Sequence, residues 1–207
     1  MRIVPVAKST LSLWLREVGL SVPQQQRITE KKKAGQRRGA NIRRTDRVAR
    51  QSDLVRIAKA DIDSISKREL WLIGIALYLA EGSNEKEYRP GTGVSFSNSD
   101  ARMVAVFIKW LKACIGLKDE NLIISLYIHE SHADRVLTVQ KYWSNFLGLP
   151  LRFFQKVYFK KNKINTRRKN TGNLYNGLLR VNIRESSDLN RRITGWTQGI
   201  VENCGLV

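Results

Sequence analysis

Cysteine is scarce in this chain of 207 residues: there are two, Cys114 and Cys204, and neither belongs to a CxxC pair. That rules against a disulfide framework, lends no support to a zinc site, and fits a reducing, cytoplasmic setting. Cys114 falls within a helical pattern and reads as a small buried apolar residue. Long apolar runs are missing too. No stretch approaches the ~18 apolar residues of a membrane span, and Phe153, Phe154, Val157 and Tyr158 form only a short apolar patch. No secretory pattern opens the chain. Histidine occurs twice, as His129-Glu130-Ser131-His132. The H-E-x-H spacing is not the H-E-x-x-H of zinc proteases and no third ligand is evident, so these read as local strand-end residues. Acids are few: 18 Asp and Glu stand against 37 Lys and Arg, a formal charge of +19.

What is present is enough hydrophobic sequence, 42%, to bury a core. The length suits one good-sized domain plus a smaller appendage. A charge excess of this size, with a pI near 10.4, costs self-repulsion in the folded state. A polyanionic partner explains it, because each phosphate neutralised by Lys or Arg releases counterion from nucleic acid. An acidic membrane surface is the rival partner, but without an apolar span or leader the expected partner is nucleic acid.

Three segments follow from the pattern. Residues 1–21 hold one short helix, with Leu11, Trp14, Leu15 and Val18 at helical spacing, Ser9 or Thr10 as its cap and Gly19 at its stop. Residues 22–65 form a basic connector with helical stretches, interrupted at Gly35 and Gly39. Residues 66–207 turn globular. Lys67 to Glu81 is apolar nearly all round, so it is expected to be buried on most faces. Strands are expected at Val94 to Ser97, Asn121 to His129, Arg152 to Lys160 and Leu174 to Ile183. Helices are expected over Asp100 to Ile115, Ala133 to Leu147 and Ser187 to Glu202. Helices alternating with antiparallel-type strands make an α+β domain.

The strongest motif is Gly74-Ile75-Ala76-Leu77-Tyr78-Leu79-Ala80-Glu81-Gly82. An apolar helix ends in an acid and a glycine. Ala76 and Ala80, with Gly74 nearby, are small residues whose spacing lets two helix backbones approach closely. Each helix end would then bring one carboxylate beside its counterpart, and such a pair can hold the divalent metal used in phosphodiester hydrolysis. This segment resembles the LAGLIDADG motif of homing endonucleases, with Ala76 at the central small residue and Glu81 at the terminal acid. It departs from the motif at Gly74, where a Leu is expected, and at Leu79, which replaces the more variable first acid. The resemblance covers about residues 67 to 202 and includes the strand-to-helix step Phe96-Ser97-Asn98-Ser99-Asp100, where Asp100 or Ser99 is also a good helix cap.

That resemblance implies a motif helix, an antiparallel β-saddle and packing helices. It also implies double-stranded DNA as partner, and Mg²⁺ held by Glu81. Only one acidic motif is present, so a family-like site requires a homodimer through the Gly74–Gly82 helix. A strand lysine near the acids helps stabilise charge in that family. Lys156 is the candidate by role, and Lys160 shares its strand face; phosphate contact or a solvated face is the plainer reading of both. The basic loop with Lys161, Lys163, Arg167, Arg168 and Lys169 suits groove and backbone contacts.

The segment Val6 to Leu15 resembles the recognition helix of a helix-turn-helix. Val6, Leu11, Trp14 and Leu15 would be its core, and Lys8, Ser9, Ser12 and Leu13 would face the major groove. Too few residues precede Val6 for the partner helix of that motif, and an ordinary amphipathic helix is the alternative. The combination is similar to a group of bacterial and phage proteins. It is similar also to bacterial regulators that join a degenerate LAGLIDADG domain to a helix-turn-helix. The sequence therefore leads to a homodimeric, Mg²⁺-dependent homing-type DNA endonuclease, nucleoid-associated in the cytoplasm. The alternatives are a non-catalytic DNA-binding transcription regulator on the same scaffold and an RNA-binding splicing helper.

Overall fold

The fold is that of a computed structural model, which describes residues 5–19, 21–83, 91–161 and 174–205. It divides into two units, Met1–Ser64 and Ile65–Val207.

The first unit holds α1 (Lys8–Trp14) and α2 (Val22–Ala60), and neither buries a residue. The N-cap of α1 is Ala7, which has no side-chain acceptor to offer, so neither Ser9 nor Thr10 caps it. α2 starts at a capping box in which the Ser21 amide donates to Gln24 Oε1 at 3.0 Å, with Pro23 in the first turn. It then runs without a break for 39 residues. Gly35 and Gly39 do not interrupt it. A helical glycine costs only about 1 kcal/mol relative to alanine, and a long run of good helix formers absorbs two.

The second unit is α+β. Its helices are α3 (Lys67–Glu81), α4 (Ala101–Trp110), α5 (Val136–Leu147) and α6 (Ser187–Asn203), and its strands are β1 (Ser95–Asn98), β2 (Leu122–His129), β3 (Val157–Lys160) and β4 (Leu178–Ile183). α3 opens on a reciprocal cap: the Ser66 amide donates to Glu69 Oε2 at 2.6 Å and the Glu69 amide to Ser66 Oγ at 3.2 Å. Hydrogen bonding from the Ser66 side chain, and then from the Ser66 amide, holds the Glu69 carboxyl below its ordinary range. Asp100 caps α4 by accepting from the Arg102 amide at 2.9 Å. A π-helical turn, Leu111–Ile115, carries that helix on.

The strands lie in the order β1-β4-β2-β3. β4 runs antiparallel to both its neighbours, but β2 and β3 are parallel. The sequence expectation of an all-antiparallel sheet fails there because α5 carries the chain from the end of β2 back toward the start of β3, a connection that makes parallel neighbours. β3 is also shorter than expected. Pro150 starts a 3₁₀ turn, Leu151–Phe154, which buries Phe154 before the strand begins. β4 likewise starts only after Gly177, where φ is +69° and a Cβ would fall 2.5 Å from the Tyr127 carbonyl oxygen.

One face of the sheet is core. Phe96, Ile124, Leu126, Leu179 and Val181 lie on it, fully or almost fully buried, against Ile75, Phe107, Trp143 and Ile193 from the four helices. The Phe96 and Phe107 rings stack at 4.4 Å.

Candidate nucleic-acid interface

Strand side chains alternate between faces, so the register fixes what the opposite face carries. Ser95 and Ser97 of β1 pair with Asn182 and Arg180 of β4. Arg180 in turn pairs with Ser125 of β2, and Tyr127 and His129 of β2 pair with Tyr158 and Lys160 of β3. Ile123 and Leu178, paired with Asn182 and Tyr127, share this face, whose other side chains are hydroxyl, amide, aromatic and cationic. None of the residues of these four strands is an Asp or a Glu.

Arg180 is its centre. Nε donates to Ser97 Oγ at 3.0 Å and Nη1 to Tyr127 Oη at 3.0 Å. The guanidinium carbon lies 4.7 Å from the centre of the Tyr127 ring. On the other side Tyr127 stacks on Tyr158 at 4.9 Å, and Lys160 Nζ sits 5.4 Å from the Tyr127 ring centre. Nη2 of Arg180 makes no hydrogen bond to a described residue. The cation is thus pinned on one edge and open on the other, the arrangement a guanidinium needs to fork onto a phosphate or a guanine edge.

α3 delivers Glu81 to the edge of this sheet. Gly82 forms an isolated antiparallel bridge with Phe96, and the Ser83 amide donates to the Ser95 carbonyl at 2.9 Å. One residue along that register, Glu81 is level with Ser97, the hydroxyl that Arg180 grips. Glu81 is exposed. Tyr78 locks the exit of the helix: Oη donates to the Ser83 carbonyl at 2.7 Å and lies 3.1 Å from Asn190 Oδ1. Gly82 is required there because a Cβ would fall 2.5 Å from the Tyr78 ring and carbonyl oxygen. Burial pushes the Tyr78 hydroxyl up to about 12.

Lys156 does not join Glu81. It is exposed and immediately precedes β3, its carbonyl accepting from the Leu126 amide at 2.8 Å. β3 and β1 are the two outer strands, three spacings apart, or about 14 Å. The strand cation nearest the Glu81 edge is Arg180. It is legible in the alternation of Leu178-Leu179-Arg180-Val181-Asn182-Ile183, which puts Arg180 and Asn182 opposite three apolar residues. Lys160 does lie on the open face. Lys161 is exposed and pairs with Glu130 at 3.8 Å. Lys163, Arg167, Arg168 and Lys169 lie outside the described residues. His129 is occupied locally, its Nδ1 2.9 Å from Ser131 Oγ, and the His132 ring packs on Tyr175 at 4.7 Å. Cys114 is half-buried, with Sγ 3.5 Å from the Lys67 carbonyl oxygen.

The motif helix is not buried on most faces. Leu70, Gly74, Ile75, Leu77 and Tyr78 face the core, while Leu72, Ile73 and Leu79 are 37, 40 and 51% exposed and Ala76 and Ala80 are open beside them. Gly74 serves the core: a Cβ there would fall 2.1 Å from the Trp110 ring. Only the two alanines are small residues of the open face. In the first unit, Lys8, Ser9 and Ser12 are exposed, but so are Leu11, Trp14 and Leu15, and Val6 is half-buried. The core expected of a helix-turn-helix is therefore not assembled among the described residues.

Among the described residues no three His, Cys, Asp or Glu side chains converge as a metal group, so Glu81 offers a single carboxylate per chain. No helix among them is long and apolar enough to cross a membrane. Comparison with known proteins found no matching family model, no similar curated protein and no similar solved structure.

Proposed function

We propose that this chain binds double-stranded DNA on the open face of the β1-β4-β2-β3 sheet and does so as a homodimer through α3. The observation that carries the reading is the pinned Arg180 on a strand surface with cations, hydroxyls and aromatic rings, whose four strands contribute no carboxylate of their own. Strands can enter the major groove, and an arginine forked onto a guanine edge reads sequence there. Dimerisation rests on the open stripe of Leu72, Ile73, Ala76, Leu79 and Ala80. An apolar helix face with two alanines one turn apart suits close packing against a second copy.

The test is equilibrium binding of fluorescent duplexes drawn from a randomised pool. Arg180→Ala is expected to lose about 5- to 150-fold in affinity for selected duplexes, the ~1–3 kcal/mol of one base-reading arginine, and to relax sequence preference. Unchanged affinity and preference would remove the sheet from the interface. Structured RNA competing better than duplex DNA would replace DNA as the partner.

An endonuclease reading rests on Glu81 alone, since it is exposed at the sheet edge on the end of the proposed pairing helix. One carboxylate fits half of a Mg²⁺ site, so Glu81 from each of two copies would hold the ion, which when bound activates water and steadies a leaving oxygen. Plasmid carrying the gene's own flanking DNA, incubated with protein and Mg²⁺, decides it. Cleavage abolished in Glu81→Ala makes the chain a nuclease. Tight binding without nicking makes it a regulator.

A further inference from the structure

α2 carries twelve Lys and Arg against three Asp and Glu. It buries none of its residues, so packing does not stabilise it. Like charges stand four apart at Arg27 and Lys31, Lys33 and Arg37, and Arg43 and Arg47, and each such pair is destabilising. Gly35 and Gly39 add backbone freedom.

The charges are nevertheless ordered. At about 100° per residue, Lys32, Lys33, Arg37, Arg43, Arg44, Arg47 and Arg50 fall within an arc of roughly 140°. The carboxylates Glu30, Asp46 and Asp53 all fall outside that arc. Asp53 pairs instead with Arg56, at 3.5 Å, on the other side of the helix. None of the seven stripe cations has an ion-pair partner among the described residues. From Lys32 to Arg50 the stripe is about 27 Å long, roughly eight base pairs of duplex rise.

We infer that α2 is a second DNA-binding element, lying with this stripe in the major groove of duplex DNA. A helix about 10–12 Å across fits a groove about 12 Å wide. Phosphates on either wall relieve the repulsion that the helix carries when alone. The proposal does not depend on the sheet reading, since it uses different residues.

The experiment uses the full chain, a random-sequence duplex of about 25 base pairs and a salt series. Two variants each remove four cations from α2. One, R43Q/R44Q/R47Q/R50Q, clears the lower stripe. The other, R27Q/K31Q/R38Q/R56Q, takes the same charge from the opposite side. Arg180→Ala is measured in parallel on a duplex selected from the randomised pool. Far-UV circular dichroism of each variant checks that the helical content and the melting of the second unit are kept. The stripe variant is expected to lose tenfold or more in affinity at low salt, and its log–log salt slope should fall by roughly 3–4, at ~0.9 for each phosphate left unneutralised. The opposite-side variant should change the slope by less than about one.

Equal losses in the two variants would reduce α2 to diffuse charge and overturn the proposal, as would no loss in either. Duplex RNA competing as well as duplex DNA would also overturn it, because the A-form major groove does not admit a helix. A full stripe effect with none from Arg180→Ala would leave α2 standing while the sheet reading fell, and the reverse result would do the opposite.

Discussion

Gly74 and Tyr78 show how closely the motif helix is fitted to its domain. A methyl group on Gly74 would fall 2.1 Å from the Trp110 ring, and Trp110 is wholly buried. Gly74→Ala should therefore destabilise by about 1–3 kcal/mol, the usual cost of overpacking, read as a lower urea midpoint at unchanged slope. Tyr78→Phe removes the donor to the Ser83 carbonyl and the partner of Asn190, and should cost about 1–3 kcal/mol. It should also alter the alkaline limb. With its hydroxyl raised from 10.0 to about 12 by burial, folded Tyr78 keeps a proton that the unfolded chain releases. That component of stability is complete below about pH 10 and is lost as pH rises toward 12. Chemical denaturation across that range should show a shallower fall in Tyr78→Phe than in the parent; identical profiles would mean that another group sets the alkaline limb.

At the scale of the element, α3 is the most legible part of the chain and also the most misleading. Its bounds, Lys67–Glu81, follow from the Ser66/Glu69 cap and the terminal Gly82. Its apolar sequence on every side suggests burial on most faces, because periodicity reports hydrophobicity and not neighbours. The open side is the one that the proposed homodimer would use. Introducing charge there, as Leu72→Glu/Leu79→Glu, should convert a dimer into a monomer in sedimentation equilibrium while the far-UV spectrum is retained. A parent chain already monomeric at micromolar concentration would remove the pairing. α2 misleads for the opposite reason: two glycines suggest breaks that the surrounding helix formers override. The parallel β2–β3 pair is not readable locally, since strand pairing is a long-range contact. Arg180 is readable, because Leu179, Val181 and Ile183 fix the core face of β4 and leave Arg180 on the other.

For the whole molecule, a net charge of +19 guarantees some attraction to any polyanion, so affinity at one salt concentration distinguishes little. What differs between a generally cationic protein and one with a shaped interface is where the salt dependence resides. The sheet places Arg180 and Lys160 on one face around Tyr127; on that face Lys160 should release counterion from a phosphate and Arg180 should read a base edge. The direct test is the salt slope of duplex binding for the full chain and for Arg180→Ala/Lys160→Ala. If the open sheet face is the interface, the slope falls by roughly one, at ~0.9 for the phosphate that Lys160 neutralises, and the loss of Arg180 relaxes sequence preference. A double variant whose slope and affinity match those of the parent would contradict it.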